Sequence, residues 1–199
     1  MSDGRPALGE GGIAVLSPTD EDTQLMLRFQ AGDEAAFSQL LRRNHRRVVN
    51  LAFRYLRDRA AAEDVAQDAF LKLYQTKERY EPRAPFGAYL LRIASNLCLS
   101  KLRRRKVRGV VGEPEEGAPE PSDPNPVAQE RLEANELHRR VREAVDQLPE
   151  RQRLAILLNK FEGLDYQGVA DALELTVPAT KSLLHRARMA LKEQLEKYV

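Results

Sequence analysis

Apolar residues along this chain recur at intervals of three and four and nowhere alternate over a useful length, which predicts helices throughout. After a Gly-rich leader, Thr19 or Asp20 is placed to cap a short helix carrying Leu25, Met26 and Phe29, and Gly32 interrupts it. Asp33 opens a longer helix in which Phe37, Leu40, Leu41, Val48, Leu51, Ala52 and Tyr55 share one face. A third helix, near 60–76, buries Val65, Ala69 and Leu73 with Phe70 or Tyr74, before Pro82 and Pro85 break the pattern. A fourth, from about Phe86 to Lys106, carries Tyr89, Leu90, Ile93, Leu97 and Leu102. From Val107 to Pro126 the composition turns to Gly, Pro, Glu and Asp, with five prolines in the thirteen residues from Pro114 to Pro126, and this stretch reads as a linker. Beyond it one helix carries Leu132, Leu137, Val141, Val145 and Leu148, and Pro149 fits the first turn of the next, which holds Leu154, Leu157 and Leu158. After Gly163, Asp165 caps a short helix with Tyr166, Val169, Ala170 and Leu173; Glu174 and Leu175 turn the chain, and Thr176 caps a final helix. The expected fold is all-α: a leader (1–19), a four-helix module (20–106), an acidic Pro/Gly-rich flexible linker (107–126) and a helix-turn-helix module (127–199).

Composition narrows the class. A single cysteine in 199 residues excludes an intramolecular disulfide and fits a reducing compartment. Apolar runs are far shorter than the roughly 18 residues of a membrane span, and residues 1–18 hold too short a run for a secretory signal, so a cytoplasmic protein with no membrane insertion is expected. His45, His138 and His185 lack metal-ligand spacing with one another or with Cys98, and Gly109, Gly112 and Gly117 lack the context of a phosphate-binding loop. No catalytic residue, metal or cofactor is therefore expected, and the chain reads as a non-enzyme.

The net charge of +2 hides a sorting of charge along the chain. Residues 42–59 hold seven Arg against one Asp, residues 101–108 six Lys or Arg with no acid, and residues 181–192 four basic residues with no acid. Residues 109–136 carry eight acids against Arg131 alone. Basic clusters on ordered helices suit phosphate contact. The segment Leu164 to Leu191 has the layout of a helix-turn-helix, whose second helix turns Leu184, Ala187 and Leu191 inward and Lys181, Ser182, His185, Arg186 and Arg188 outward, groups that reach phosphates and base edges. Taken alone, the same segment also fits a basic amphipathic helix in a plain bundle.

Longer blocks carry a resemblance. LPERQRLAILLNKFEGLDYQGVADAL followed by KSLLHRAR resembles region 4 of the extracytoplasmic-function sigma factors of bacterial RNA polymerase, members of the sigma-70 family. GDEAAFSQLLRRNHRRVVNLAFRYL is similar to their region 2.1, AEDVAQDAFLKLYQ to region 2.2, and FGAYLLRIASNLCLSKLRRRK to regions 2.3 to 2.4. Two blocks in the right order cover about residues 22–106 and 127–196. The resemblance implies a promoter-recognition subunit that binds core polymerase, through the β′ coiled coil and through β, and promoter DNA, under the control of an anti-sigma factor. A stand-alone helix-turn-helix repressor or activator not bound to polymerase is the alternative.

The resemblance also implies roles by position. Asp64, Gln67, Asp68 and Leu71 fall on core polymerase; their spacing puts them on one helical stripe opposite Val65, Ala69 and Leu73. Asn96 falls on an extruded base of the −10 element, with Glu81 to Phe86 as pocket wall and Arg92, Lys101, Arg103, Arg104 and Arg105 on the flanking phosphates. Lys181, Ser182 and Arg186 fall on the −35 element, and His185 and Arg188 join them from the same outward face of the helix. Three positions depart from the family pattern: Tyr89 where Trp is common, Leu183 where a basic residue is frequent, and Glu174 in place of a turn Gly. Elements about 25 base pairs apart lie about 85 Å apart at ~3.4 Å per pair. The linker, at ~3.5 Å per residue, reaches at most ~70 Å, and two modules of about 15 to 25 Å supply the remainder.

Overall fold

The computed structural model describes residues 20–107 and 128–196, with side chains from Glu136 onward in the second segment. The leader and, beyond Val107, the linker lie outside the described residues, as does the side chain of Leu132, expected in the core. Among those described, eight α-helices and one short 3₁₀ turn account for the regular structure: α1 (Glu21–Gln30), α2 (Glu34–Leu56), α3 (Arg59–Gln75), the turn Lys77–Arg79, α4 (Phe86–Val107), α5 (Ala128–Asp146), α6 (Glu150–Lys160), α7 (Tyr166–Leu173) and α8 (Val177–Leu195).

Side-chain caps place most of the helix starts. Asp20, Asp33, Asp58, Asp165 and Thr176 each accept a hydrogen bond from a first-turn amide, of Asp22, Ala36, Ala61, Gly168 and Ala179 respectively. Pro149 stands just before α6 rather than inside it, and Pro178 occupies the first turn of α8, where its missing N–H is no loss. Asp58 is the most heavily used cap. Its carboxylate takes the Ala61 amide at 2.7 Å and also the Arg105 guanidinium at the far end of α4. The Ala61 amide first and the arginine next hold its carboxyl below the ordinary 3.8. Its stabilising contribution is thus present above that ordinary value and is lost as pH falls through the lowered one. Asp58→Ala is expected to cost about 1 kcal/mol at neutral pH, read as a lower midpoint in urea.

α2, α3 and α4 enclose the first half of the core, with α1 laid across α2 and α4. Phe29, Leu40, Leu51, Leu73, Phe86, Leu90 and Leu91 are fully enclosed. Of the two candidates in α3 the core takes Phe70, while Tyr74 stays exposed, its ring against Phe29 and Phe37 and its hydroxyl donating to Glu34 at 3.1 Å. In the second half α6, α7 and α8 pack mutually around Leu154, Leu158, Val169, Leu173 and Leu184. Two expectations need correction there. Leu137 is 54% exposed; among the described side chains, α5 meets the core further along, at Val141, Ala144 and Val145, with Leu148 just beyond it. Tyr166 is not a core residue of α7 but 37% exposed at its first turn. Leu183, which stands where the family often has a basic residue, is buried at 9% exposure and belongs to the interior of its module.

Glu174 answers the question raised by the absent turn glycine. It adopts the left-handed conformation itself (φ 54°, ψ 50°), and the Leu175 amide closes the turn on the Ala170 carbonyl at 2.9 Å. The turn keeps the geometry glycine would adopt freely, with strain of about 1 kcal/mol for a residue bearing a Cβ. The two halves are also not separate bodies: one continuous apolar core runs through both, with α7 packed on α4 and α6 on α2.

Candidate polymerase and nucleic-acid interfaces

Three surfaces carry the residues singled out from the sequence. On α3, Asp64, Gln67, Asp68 and Leu71 all face solvent, while Val65, Ala66, Ala69, Phe70 and Leu73 face the core. Leu71, 55% exposed, makes the stripe part acidic and part apolar. Glu63, next along, turns aside to His45, with 3.5 Å between Oε2 and Nε2.

On α4 the six sequence-nominated residues separate into distinct environments. Arg103 and Arg104 are exposed. Lys101 donates to Asp64 of α3 at 2.7 Å, and Arg105 is occupied by Asp58 and the Leu56 carbonyl. The Arg92 guanidinium lies 5.1 Å over the Tyr89 ring, and Asn96 is exposed, its amide donating to Glu174 at 3.4 Å. A groove of about 440 Å³ between α3 and α4 is lined by Val65, Asp68, Leu97, Lys101, Arg104 and Arg105. The acidic stripe and the basic tail of α4 therefore border the same groove, and Lys101 joins them.

The segment leading into α4 is held from behind. The Gln30 side-chain amide reaches the carbonyls of Lys77, Glu78 and Tyr80 at 3.0 to 3.2 Å, and the Phe86 amide donates to Asp20 at 2.9 Å and Thr23 at 3.2 Å. Tyr80 is buried edge-on to Tyr89, centroids 5.0 Å apart. Residues 81–85 thus span two fixed ends, with Glu81, Pro82, Arg83 and Pro85 exposed.

On the helix-turn-helix, Lys181, Ser182, His185, Arg186 and Arg188 are exposed and Leu184 and Ala187 buried. Arg188 donates to the Tyr166 hydroxyl at 3.2 Å and to Asn159 Oδ1 at 3.0 Å, and its guanidinium and the Lys181 ammonium each lie 5.9 Å from the Tyr166 ring. Arg188, by hydrogen bond and then by charge, holds the Tyr166 phenol below the usual tyrosine range. Ser182 gives its hydroxyl proton to the Pro178 carbonyl.

Comparison with known proteins decides what these surfaces belong to. The family model for Sigma-70 region 2 matches residues 40–108, and that for Sigma-70, region 4 matches residues 138–191. The chain is 32% identical to the ECF RNA polymerase sigma factor SigE of Mycolicibacterium smegmatis, over 92% of this chain and 72% of that one. It is equally similar, at 32%, to the RNA polymerase sigma-H factor of Pseudomonas aeruginosa, over 89% and 95%. The chain belongs to the extracytoplasmic-function sigma factors. Its partners are accordingly RNA polymerase and promoter DNA, and its process is transcription initiation. Among solved structures it superposes on the sigma factor RpoE of Bartonella quintana, determined with the anti-sigma factor NepR, with a TM-score of 0.62 and 25% identity over 82% of this chain and 98% of that one. It shares the fold of CnrH, solved with the cytosolic domain of CnrY, with a TM-score of 0.66 at 24% identity over 89% and 99%.

Within this sigma factor, sequence reasoning placed the outward set of α8 but missed Tyr166, which it read as apolar filling of α7. The available signal was position: Tyr166 directly follows the capping Asp165, where a helix side chain has no preceding turn to cover it. Cys98 is buried, and burial pushes its thiol up to about 12; His138 and His185 are exposed. No helix among the described residues is long and apolar enough to cross a membrane.

Proposed function

We propose that residues 20–106 form the unit that binds core polymerase and captures the −10 strand, that residues 127–199 form the unit that reads −35, and that residues 107–126 tether them. Asp64, Gln67, Asp68 and Leu71 meet the basic β′ coiled coil. Asn96 takes an unpaired base, since an amide offers both the donor and the acceptor that a Watson–Crick edge requires. Arg92, Lys101, Arg103, Arg104 and Arg105 bind the flanking phosphates, Lys101 and Arg105 from positions set by their acids. With no Trp in the chain, strand opening draws on base capture, which offsets an unstacking cost of a few kcal/mol. Lys181, Ser182, His185, Arg186 and Arg188 engage the −35 duplex. The protein performs no covalent chemistry, works in the cytoplasm, and is held in check by an anti-sigma protein, as the Bartonella quintana relative is paired with NepR.

The observation that carries this reading is the division of α3 and α8 into a buried apolar face and an exposed face bearing the nominated residues. Run-off transcription with purified core polymerase on a pool of genomic fragments tests it: the chain is expected to direct initiation at sites with unlike −35 and −10 elements. Initiation that is the same with and without the chain would refute it.

Tyr166 enters this reading as the group that aims Arg188. Tyr166→Phe keeps the ring beside Lys181 and removes the hydroxyl that Arg188 holds, so −35 duplex affinity is expected to fall about threefold, roughly 0.6 kcal/mol, in line with the loss of one solvent-exposed hydrogen bond from a guanidinium. The measurement is a fluorescence titration of holoenzyme on a labelled −35 duplex, with an unchanged melting temperature as control.

A further inference from the structure

The three-residue turn Lys77–Arg79 has little of its own to keep it in place. None of its residues is buried, Thr76 before it supplies no side-chain cap, and a lone 3₁₀ turn has poor hydrogen-bond geometry. It nevertheless carries the chain from the end of α3 into residues 81–85, so whatever fixes the turn fixes one end of that segment. Two consecutive residues of α1 do so, and both act on Lys77. The Gln30 amide donates to the Lys77 carbonyl at 3.0 Å, where the Tyr80 amide also arrives at 3.1 Å. The Phe29 ring receives the Lys77 ammonium, 4.5 Å from its centroid. Lys77 is thereby held at its backbone by polar contact and at its tip by a ring.

Three helices build the seat of that ammonium. Phe29 of α1, Phe37 of α2 and Tyr74 of α3 meet pairwise, with centroids 4.8 to 5.3 Å apart. The ammonium lies 5.5 Å from the Tyr74 ring and 3.8 Å from Glu34 Oε1, which also accepts the Tyr74 hydroxyl. The Lys77 side chain is 19% exposed, so rings and a carboxylate stand where water otherwise would. A lysine turned inward onto aromatic faces is not placed to reach a phosphate, unlike the exposed Arg103 and Arg104. It acts as a fastener: the turn cannot swing about the end of α3 without lifting the charge off the rings. Beyond the turn, Tyr80 is buried against Phe86 and Tyr89, with centroids 6.2 and 5.0 Å away, which ties the turn to the start of α4.

The geometry points to Lys77 as a positioning residue for −10 recognition: its ammonium, seated on Phe29 and Tyr74 beside Glu34, holds the turn from which residues 81–85 depart and so sets the base preference of the pocket they wall. This rests on the assignment of residues 81–86 to the −10 pocket. Lys77 touches neither base nor phosphate in this role. With the ammonium gone, the Gln30 grip on the backbone remains, and the turn loses only its fixed angle. The wall then admits the wrong base more nearly as well as the right one, so the cost falls on discrimination more than on total binding.

Lys77→Met keeps an unbranched apolar stem and removes the charge. The measurement is binding of holoenzyme to single-stranded −10 oligonucleotides from a promoter that the run-off assay returns, with each base at each position in turn, at two salt concentrations. Lys77→Met is expected to reduce discrimination at the extruded base about threefold to fivefold, the size of a partly exposed cation–π contact, with affinity for core polymerase and for the −35 duplex unchanged. Lys77→Arg keeps a cation that stacks on aromatic faces and is expected to retain the discrimination of the parent chain. Glu34→Gln still offers the Tyr74 hydroxyl an acceptor but loses the charge beside Lys77, and is expected to reduce discrimination about twofold. It is read in place of Lys77→Met should that variant fail to fold. The slope of log affinity against log salt is expected to stay the same in Lys77→Met, whereas loss of a phosphate contact to a single strand would lower it by about 0.7. A lowered slope, equal weakening on every base, or loss of discrimination in Lys77→Arg overturns the positioning role. A parent holoenzyme with no base preference at any −10 position would overturn the assignment of residues 81–86, and this inference with it.

Discussion

Asp68→Arg is expected to weaken the complex with core polymerase by at least about 100-fold, roughly 2.7 kcal/mol, while leaving the folded chain intact. Asp68 is exposed in the middle of α3, so the substitution removes no core contact, and arginine suits a helix interior better than aspartate does. Opposite a basic partner, an attraction becomes a repulsion, and at an effective dielectric of about 20 a pair at 4 Å accounts for about 4 kcal/mol either way before screening. Arg104 lines the same groove, so the new arginine also adds local positive charge. Titration of labelled core polymerase reads the effect, with the thermal midpoint as control for folding. Asp64→Arg would be harder to interpret, because Asp64 also holds Lys101. An unchanged affinity for Asp68→Arg would remove the α3 stripe from the polymerase interface.

Arg186→Ala is expected to cost about 1 to 3 kcal/mol in −35 recognition, roughly 5- to 150-fold, and to relax discrimination at one base pair. Arg186 is exposed beside the buried Ala187 on α8, so truncation leaves the fold untouched. Lys181→Ala supplies the contrast. A phosphate contact of that kind weakens all sequences about equally and lowers the slope of log affinity against log salt by about 1. Competition of holoenzyme between a reference duplex and single-base variants of −35, at two salt concentrations, separates the two behaviours. Equal weakening on every duplex for Arg186→Ala would reassign that residue to the backbone.

How far the sequence anticipates this structure depends on the range of the signal. Caps act within one turn, so Asp20, Asp33, Asp165 and Thr176 identify their helix starts from the sequence alone, and the structure finds each of them capping. Periodicity likewise separates the two faces of α3 and of α8. It says that a face is apolar without saying what covers it, which is why Leu137 was expected inside and stands in water. On α4 buried positions run nearly around the helix, Leu90, Leu91, Ile93, Ala94, Cys98 and Leu99, because α2 and α3 pack on it and so does α7. No local pattern names the second partner. Charge behaves in the same way: the run of arginines is plain in the sequence, but whether Arg47 meets a phosphate or Glu162 is decided more than a hundred residues away. Family resemblance assigned Lys101 and Asp64 to different ligands, and only the geometry shows that each neutralises the other in the unbound chain.

The Gln30 amide, drawing three backbone carbonyls together behind residues 81–85, has an evolutionary corollary. A helix that contributes none of the nominated contact residues nevertheless holds the backbone that leads into residues 81–85, the wall of the proposed −10 pocket. If that wall holds the base as proposed, changes in α1 alone would shift promoter preference with every contacting side chain kept, and comparisons restricted to contact positions would overlook that route to divergence.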